Sequence, residues 1–509
     1  MPLKITWVED NKFLLAMAFV LALLVYGVEL GSFTLSIDEE VAAYEPDSWR
    51  VWLSQGRWGM SLLLKLLPNF TYIPFLATLL FCILLSASSV YFSRLLFTDW
   101  KEAAVFVALF VAAPVWLHVA EFNTLSWGIG VGLAVCAYAA GLFRQHKTST
   151  WILASLCAGF ATAIYQAFVI FYAMFLLMLL IKDWHGKLQA DGNALRFSAM
   201  CLQLLGIASS LVVAVVFYVV VQKVLAYFVH TQMTYVDTFV HVNDYLEKPV
   251  ETLASAGHKI YRLASGSDRS YLGWGWAILL LPWLGCLYCL RFAVTQLGRP
   301  LLLLVFSSAA LLIVAATFSL VMLAAGSLPL RALIGVPLLC AALGTLGFRF
   351  LNRWPVARFA IIAYSILVSI WLASFLFGLD NLARQRDLVM ATKISTEINR
   401  VAPANTRVVP VVFVGEWAHE HVQGVTTIEI FGTSFFQQDG GNPYRIAMFM
   451  RLAGNTNVEP RTVHSIKPFM SQIDAMPSWP STGSVVRVND MVVVKLSALS
   501  SQQRAELGL

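Results

Sequence analysis

Charge is scarce in this sequence. Only 13% of its 509 residues are Asp, Glu, Lys or Arg, about half the roughly 25% of soluble chains. That excludes the string of three or four soluble domains that length alone would suggest, and it excludes disorder, which needs high charge and few apolar residues. Cysteine gives no framework either. All seven (Cys82, Cys136, Cys157, Cys201, Cys286, Cys289, Cys340) fall inside apolar runs, so no disulfide scaffold is implied. Cys286 and Cys289, one helical turn apart, read as small buried hydrophobes rather than a metal pair. Internal repeats and low-complexity tracts are missing. So are a phosphate-cradling Walker loop, a dinucleotide glycine fingerprint, a Gly-x-Ser-x-Gly elbow and a zinc-binding His helix. With no nucleotide site, an activated substrate has to arrive by another route, such as a lipid carrier. The net charge of +6 is no nucleic-acid signal, because the basic residues are scattered between apolar segments, where they mark topology.

What is abundant is apolar surface: 59% of residues are hydrophobic, with mean hydropathy +0.72. The chain reads as a polytopic α-helical membrane protein. A crossing needs about 20 apolar residues, and spans are expected near 13–31, 72–96, 102–119, 124–143, 196–228, 272–294, 300–324, 331–348 and 357–379. The 32-residue run 150–181 is flanked by bases on both sides (Arg144, His146, Lys147; Lys182, Lys187). Positive residues favour the cytoplasm, so this run should go out and back as two short helices that break at Tyr165-Gln166. That makes about 11 transmembrane helices. Fourteen Lys and Arg then lie in cytoplasmic segments, while the short outer turns near 121, 166 and 326 are nearly devoid of them. The first span lacks a small-x-small cleavage site before Ser36 and is expected to be an uncleaved anchor. An odd number of spans leaves the C-terminus outside.

Two domains are expected: a membrane domain over 1–379, with outer loops at 32–71 and 229–271, and a soluble α/β domain over 380–509. The tail balances twelve Lys and Arg against eleven Asp and Glu. Residues 381–400 read as a helix, and RVVPVVFV (407–414) and VVRVNDMVVVKL (485–496) as strands.

Ionisable groups at the outer face stand out against this apolar background. Ser36-Ile-Asp-Glu-Glu40 places three carboxylates directly after the first span, where Asp38 or Glu39 could serve as a general base; a solvated loop start is the bland alternative. The loop continues as an amphipathic interfacial helix, with Trp49, Trp52, Leu53, Met60, Leu64 and Leu67 on one face and Arg50, Arg57 and Lys65 on the other, ending at Pro68. Arg57, in Gln-Gly-Arg-Trp-Gly, is a candidate for a lipid phosphate. His118 and Glu121 sit in a short outer turn, at a depth where ionisable groups are costly and tend to be functional. Tyr165 and Gln166 are polar enough to contact a sugar. Arg331 stands at the outer end of a span, against the positive-inside tendency, and suits a phosphate clamp; snorkelling to headgroups would also explain it. Loop 229–271, with His230, Asp237, His241, Asp244, His258, Lys259 and Arg262, lacks a metal-ligand spacing and reads as a substrate-gripping loop. In the tail, Asp439, Asn442 and Arg445 could bind sugar hydroxyls beside Phe435 or Phe436, or could simply close a turn.

Taken together, Ser-Ile-Asp38-Glu39-Glu, Gln-Gly-Arg57-Trp-Gly, Glu121-Phe-Asn, Tyr165-Gln166-Ala, Arg331 with Pro337, and Phe431-Gly-Thr-Ser-Phe-Phe-Gln-Gln-Asp-Gly-Gly-Asn-Pro-Tyr-Arg445 resemble the serotype-converting O-antigen glucosyltransferase family (Gtr type II-like) of the GT-C superfamily, over about residues 30–455. Gln437 and Gln438 stand where that family's tail motif usually has an acid and an aromatic. The resemblance implies a GT-C-like fold and a polyprenyl-phosphate-linked glucose donor. It also implies a lipopolysaccharide O-antigen acceptor at the periplasmic face of the bacterial inner membrane, with the N-terminus cytoplasmic and the small tail domain periplasmic. The catalytic carboxylate lands on Asp38 or Glu39. The expected reaction is a single inverting displacement, with Arg57 and Arg331 on the departing phosphate and His118, Glu121, Tyr165, Gln166, Asp439, Asn442 and Arg445 on the acceptor or sugar. No resident cofactor is expected, a metal requirement is left open, and the partners are membrane lipids with donor-synthesising and flipping proteins. Other readings are a GT-C transferase with another sugar or with a lipid A or protein acceptor, a lipid-linked sugar flippase, and an O-antigen polymerase. The inverted repeats common in transporters are not visible.

Overall fold

The computed structural model describes residues 5–32, 34–44, 48–67, 75–190, 197–231, 242–295, 300–403, 407–420 and 427–509. Contacts divide the chain into two compact units. Met1–Leu30 and Asp47–Ser374 form the first, and Gly31–Pro46 and Phe375–Leu509 the second. Residues 31–46, grouped by sequence with the rest of the first loop, therefore cluster with the tail.

The first unit is helical. Among the described residues of the whole chain, nine helices are long and apolar enough to cross a membrane: Trp7–Gly31, Leu76–Leu96, Asn123–Phe143, Phe168–Lys187, Phe197–Val229, Gly275–Thr295, Leu303–Leu323, Gly335–Arg353 and Pro355–Val401. The other two expected spans fall short for different reasons. Thr148–Ile164 is apolar but has only 17 residues. The stretch 102–119 is two helices, Trp100–Val111 and Val115–Ala120, parted at Pro114, whose missing N–H suits the start of a helix and not its interior. The run 150–181 breaks at Tyr165–Ala167, between a helix ending at Ile164 and one starting at Phe168. Instead of a span followed by a separate tail helix, Pro355–Val401 is one 47-residue helix, about 70 Å at 1.5 Å per residue; Gly378-Leu-Asp380 carries no stop signal strong enough to end it.

The single interfacial helix expected in the first loop is instead two, Ser48–Ser54 and Trp58–Leu66. Gly56, at φ 76°, makes the break, in a backbone region that glycine enters without a Cβ penalty. Its carbonyl accepts from the Tyr218 hydroxyl at 2.9 Å. Both helices pack on the bundle. Leu53 and Trp58 bury against Phe160, Phe217 and Tyr218, and Met60 and Leu64 against Trp127 and Ile164. A Cβ on Gly59 would sit 2.8 Å from the Ala163–Ile164 backbone, so only glycine permits that approach. Pro68 lies outside the described residues.

The second unit holds a four-stranded sheet, β1 Val409–Val414, β2 Val458–Pro460, β3 Val485–Val488 and β4 Met491–Lys495, in the order β2-β1-β4-β3. β1 pairs parallel with β2 and β4, and β3 with β4 antiparallel. VVRVNDMVVVKL, expected as one strand, is therefore a hairpin. Val488 pairs with Met491, leaving a two-residue Asn-Asp turn with Asn489 at φ 53°, and such turns tolerate positive φ. β1 is apolar throughout, and β4 is apolar up to Lys495, because both faces are covered. Val411, Phe413, Val492 and Val494 face a core built with Ile394, Ile398 and Phe449. Val412, Val414 and Val493 face another with Ile466 and Ile473. Lys495 ends β4 buried, with its Nζ donating to the carbonyls of Ile473, Asp474 and Met476 at 2.9, 3.0 and 2.7 Å.

Candidate functional site

In the first unit, the Gly56 break presents Arg57. Its guanidinium lies 5.3 Å from the Trp52 ring centroid and 4.8 Å from that of Tyr165, a geometry that favours a cation. Arg57 Nε donates to Gln166 Oε1 at 3.4 Å, and Gln166 Nε2 donates to the Gln55 carbonyl at 2.8 Å. Arg57, Tyr165 and Gln166, three sequence candidates, thus form one cluster, and it exists because the Tyr165–Ala167 break brings its amide to the Gln55–Arg57 turn. A second cluster lies at the Val115–Ala120 helix. His118 and Glu121 are buried at 1% and 2% exposure, and Arg331 stacks 4.3 Å from the ring of Phe122, the next residue. Asn123, on the other side of that turn, accepts from Thr78 Oγ1 at 2.6 Å and donates to Glu29 Oε1 at 3.4 Å. Glu29 is buried at 1%, at the end of the apolar run that starts at Phe13. A carboxylate at the end of an apolar run is the sequence signal that marks it.

In the substrate-gripping loop expected at 229–271, Asp237 and His241 lie outside the described residues. Asp268 is engaged within the loop, accepting from Lys259 Nζ at 3.0 Å and from Ser270.

In the second unit, one guanidinium gathers three carboxylates. Arg445 Nη2 reaches Asp38 at 2.8 Å, Nη1 reaches Glu40 at 2.5 Å and Nε reaches Asp439 at 2.5 Å. The tail motif explains how. Asp439, Gly440 and Gly441 have φ of 48°, 64° and 73°, and a Cβ on Gly441 would lie 2.1 Å from the Gly415 carbonyl. Asn442 then caps the helix Pro443–Leu452, its Oδ1 accepting from the amides of Tyr444 and Arg445 at 3.0 and 3.4 Å, with proline at the first helical position. Asn442 thus orients Arg445.

The three acids after the first span have different surroundings. Asp38 is half exposed, at 51%, with φ 82°; Asp439, its counterpart on the same arginine, also has a left-handed backbone. Glu39 is fully buried, and its Oε2 accepts from the Ser36 amide at 3.1 Å. Glu40 is likewise buried, and its Oε2 has no hydrogen-bond partner among the described residues. Burial lifts the Glu40 carboxyl from 4.5 to about 7; Arg445 pulls it down and Asp38 pushes it up. Burial works against the Arg445 charge, but Asp38 and Glu40 outweigh it and hold Arg445 above its usual range.

The Glu40 shift sets a sign for pH dependence. The folded state holds a proton that the unfolded state releases, so this group's contribution to stability is complete below about 4.5 and is lost as pH rises through about 7. The loss is about 3 kcal/mol at 1.36 kcal/mol per pKa unit. Melting curves of wild type and Glu40→Gln between pH 4.5 and 8 should diverge, with the variant flatter; parallel curves would refute it.

A second buried network lies under the same motif, and no local sequence pattern marks it. Asp387 accepts from Arg384 at 2.7 Å, His419 Nε2 at 2.7 Å, Ser434 Oγ at 2.5 Å and the Phe435 amide at 2.9 Å. Arg384 also donates to the Thr433 carbonyl and stacks 4.2 Å from the Phe435 ring. Phe435 and Phe436 are fully buried, so they are core and not a stacking face. Among the described residues, no group of three or more His, Cys, Asp or Glu side chains is placed to hold a metal.

A family model described as Glucosyl transferase GtrII matches residues 27–348. No curated protein and no solved structure matches the chain.

Proposed function

The chain belongs to the GtrII glucosyl transferase family, its apolar helices make it a membrane glycosyltransferase, and from that premise we propose that it moves glucose from a polyprenyl-phosphate carrier to a hydroxyl of O-antigen or a related surface glycan. The proposed setting is the periplasmic face of the bacterial inner membrane, with eleven crossings in a GT-C-like arrangement, the N-terminus cytoplasmic and the tail periplasmic. The sidedness of the basic residues supports it.

Asp38 is the proposed base. It deprotonates the acceptor hydroxyl, the oxygen attacks the anomeric carbon opposite the lipid phosphate, that C–O bond breaks, and the configuration inverts. Among the three acids after the first span, Asp38 is the exposed one, at 51%, and Arg445 holds it at 2.8 Å; that observation carries the assignment. Glu39, committed to the Ser36 amide, is the weaker alternative. Glu40, with a pKa of about 7, is matched to proton transfer near neutrality but is fully buried, so we assign it to holding Arg445. Arg57 and Arg331 are the proposed donors to the departing phosphate, a preorganised role typically worth a few kcal/mol per donor. Phosphate is a good leaving group and needs no acid. Glu121, His118, Tyr165, Gln166 and Asp439 are proposed to orient acceptor or sugar. No resident cofactor enters this scheme; membrane lipids and enzymes that make and flip the donor are its proposed partners.

The test is direct. Purified full-length protein given lipid-phosphate glucose and acceptor glycan should yield a glucosylated product of inverted anomeric configuration. Retention would overturn the single displacement, and transfer only from mannosyl or galactosyl donors would overturn the choice of sugar.

A further inference from the structure

A cavity of about 350 Å3, within the range of ligand pockets, opens in the first unit between the Arg144–Lys147 turn and the helices Thr148–Ile164, Phe168–Ala190 and Phe197–Val229. It is separate from the Arg57 cluster. That cluster sits at Tyr165-Gln166, at the other end of the 17-residue Thr148–Ile164 helix, about 25 Å away along its axis. The cavity is amphiphilic. Leu176, Leu179, Leu180 and Ile207 line its wall, and Arg144, His146 and Lys147 its rim. Leu202, another lining residue, is 70% exposed on a membrane-length helix, so the apolar wall is continuous with the surface that faces acyl chains. At the rim, Arg144 is answered by Asp183 at 3.3 Å, which leaves the exposed Lys147 and His146 to face a ligand. One lysine matches one phosphodiester.

We infer that this cavity is a binding site for a singly anionic phospholipid, with the phosphate at Lys147 and His146 and the head of an acyl chain along the leucine wall. A free phosphate would use none of the apolar wall, and a zwitterionic lipid would bring its own cation to a basic rim. Basic pockets between helices at the cytoplasmic end are a general means of holding anionic headgroups.

Trp151 lines the cavity and reports on it. Full-length protein in phosphatidylcholine nanodiscs is titrated with phosphatidylglycerol brominated on its acyl chains, and the signal is the quenching lost in Trp151→Phe. This quenching should reach half-maximum at a lower mole fraction for brominated phosphatidylglycerol than for brominated phosphatidylcholine. Lys147→Ala should weaken the preference about fivefold, the effect of one basic residue near an anionic headgroup. Gly206→Phe should abolish the Trp151 quenching with the charges intact, because a Cβ at Gly206 meets no atom within 4 Å and its ring would fill the space. Equal quenching by both lipids would mean ordinary boundary lipid and would overturn the proposal. So would a preference that survives Lys147→Ala, or one that millimolar inorganic phosphate removes.

Discussion

Replacing Asp38 with asparagine is expected to cut glucose transfer by about 10²–10⁴, the range for losing a positioned general base. The change isolates the charge. Asp38 holds φ 82°, and asparagine is among the few non-glycine residues that tolerate a left-handed backbone, so the turn should persist. One amide oxygen remains to face Arg445 Nη2, which lies 2.8 Å from the present carboxylate. Initial rates with saturating lipid-phosphate glucose and acceptor glycan would measure it, alongside a melting curve to show that the fold is kept. Glu39→Gln is the comparison: its carboxylate serves the Ser36 amide, so transfer should stay within a few-fold of wild type. If Asp38→Asn works at the wild-type rate while Glu39→Gln is dead, the two residues exchange roles.

Arg445→Met is expected to destabilise the second unit by about 3–5 kcal/mol, the usual result of removing one partner of a buried ion pair. Glu40 is fully buried and Arg445 is 18% exposed, so at pH 8, above the Glu40 pKa of about 7, Glu40 must either stay charged without its counter-ion or take up a proton, and both cost stability. Methionine fills similar volume, which confines the effect to the lost charge and hydrogen bonds. Arg445→Lys should recover little, because three acids approach through Nε, Nη1 and Nη2 from three directions, and a single ammonium lacks that fork. Thermal melting of the full chain and protease accessibility of residues 31–46 would read both variants. An Arg445→Met protein that melts with wild type would show that the three-acid contact contributes nothing.

Local pattern was legible where one physical constraint dominates. Apolar runs of about 20 residues became membrane-length helices, and the polar Tyr165-Gln166 point became the break between Ile164 and Phe168. Turn chemistry outweighed periodicity at two places. Gly56 broke a periodicity that looked continuous, and Asn489-Asp490 folded back a stretch that looked like one strand. Long-range pairing was not legible. Nothing at Asp387 announces His419, 32 positions on, and nothing in Ser-Ile-Asp-Glu-Glu says that Glu40, and not Glu39, meets Arg445. Asp439, Asn442 and Arg445 read equally as sugar contacts or as a closing turn, and the fold uses Asn442 as a helix cap and joins Asp439 to Arg445.

The spacing of that contact along the chain has a consequence for biosynthesis. Arg445 follows Glu40 by 405 residues and Asp38 by 407. At roughly 5–20 residues per second, the acids wait some 20–80 seconds between leaving the ribosome and meeting their counter-ion. Throughout insertion of the helices between them, the segment 31–46 has no tail to fold against. A chain cut between residues 401 and 445 keeps all nine membrane-length helices found among the described residues and still cannot form the Arg445 contact with Asp38 and Glu40.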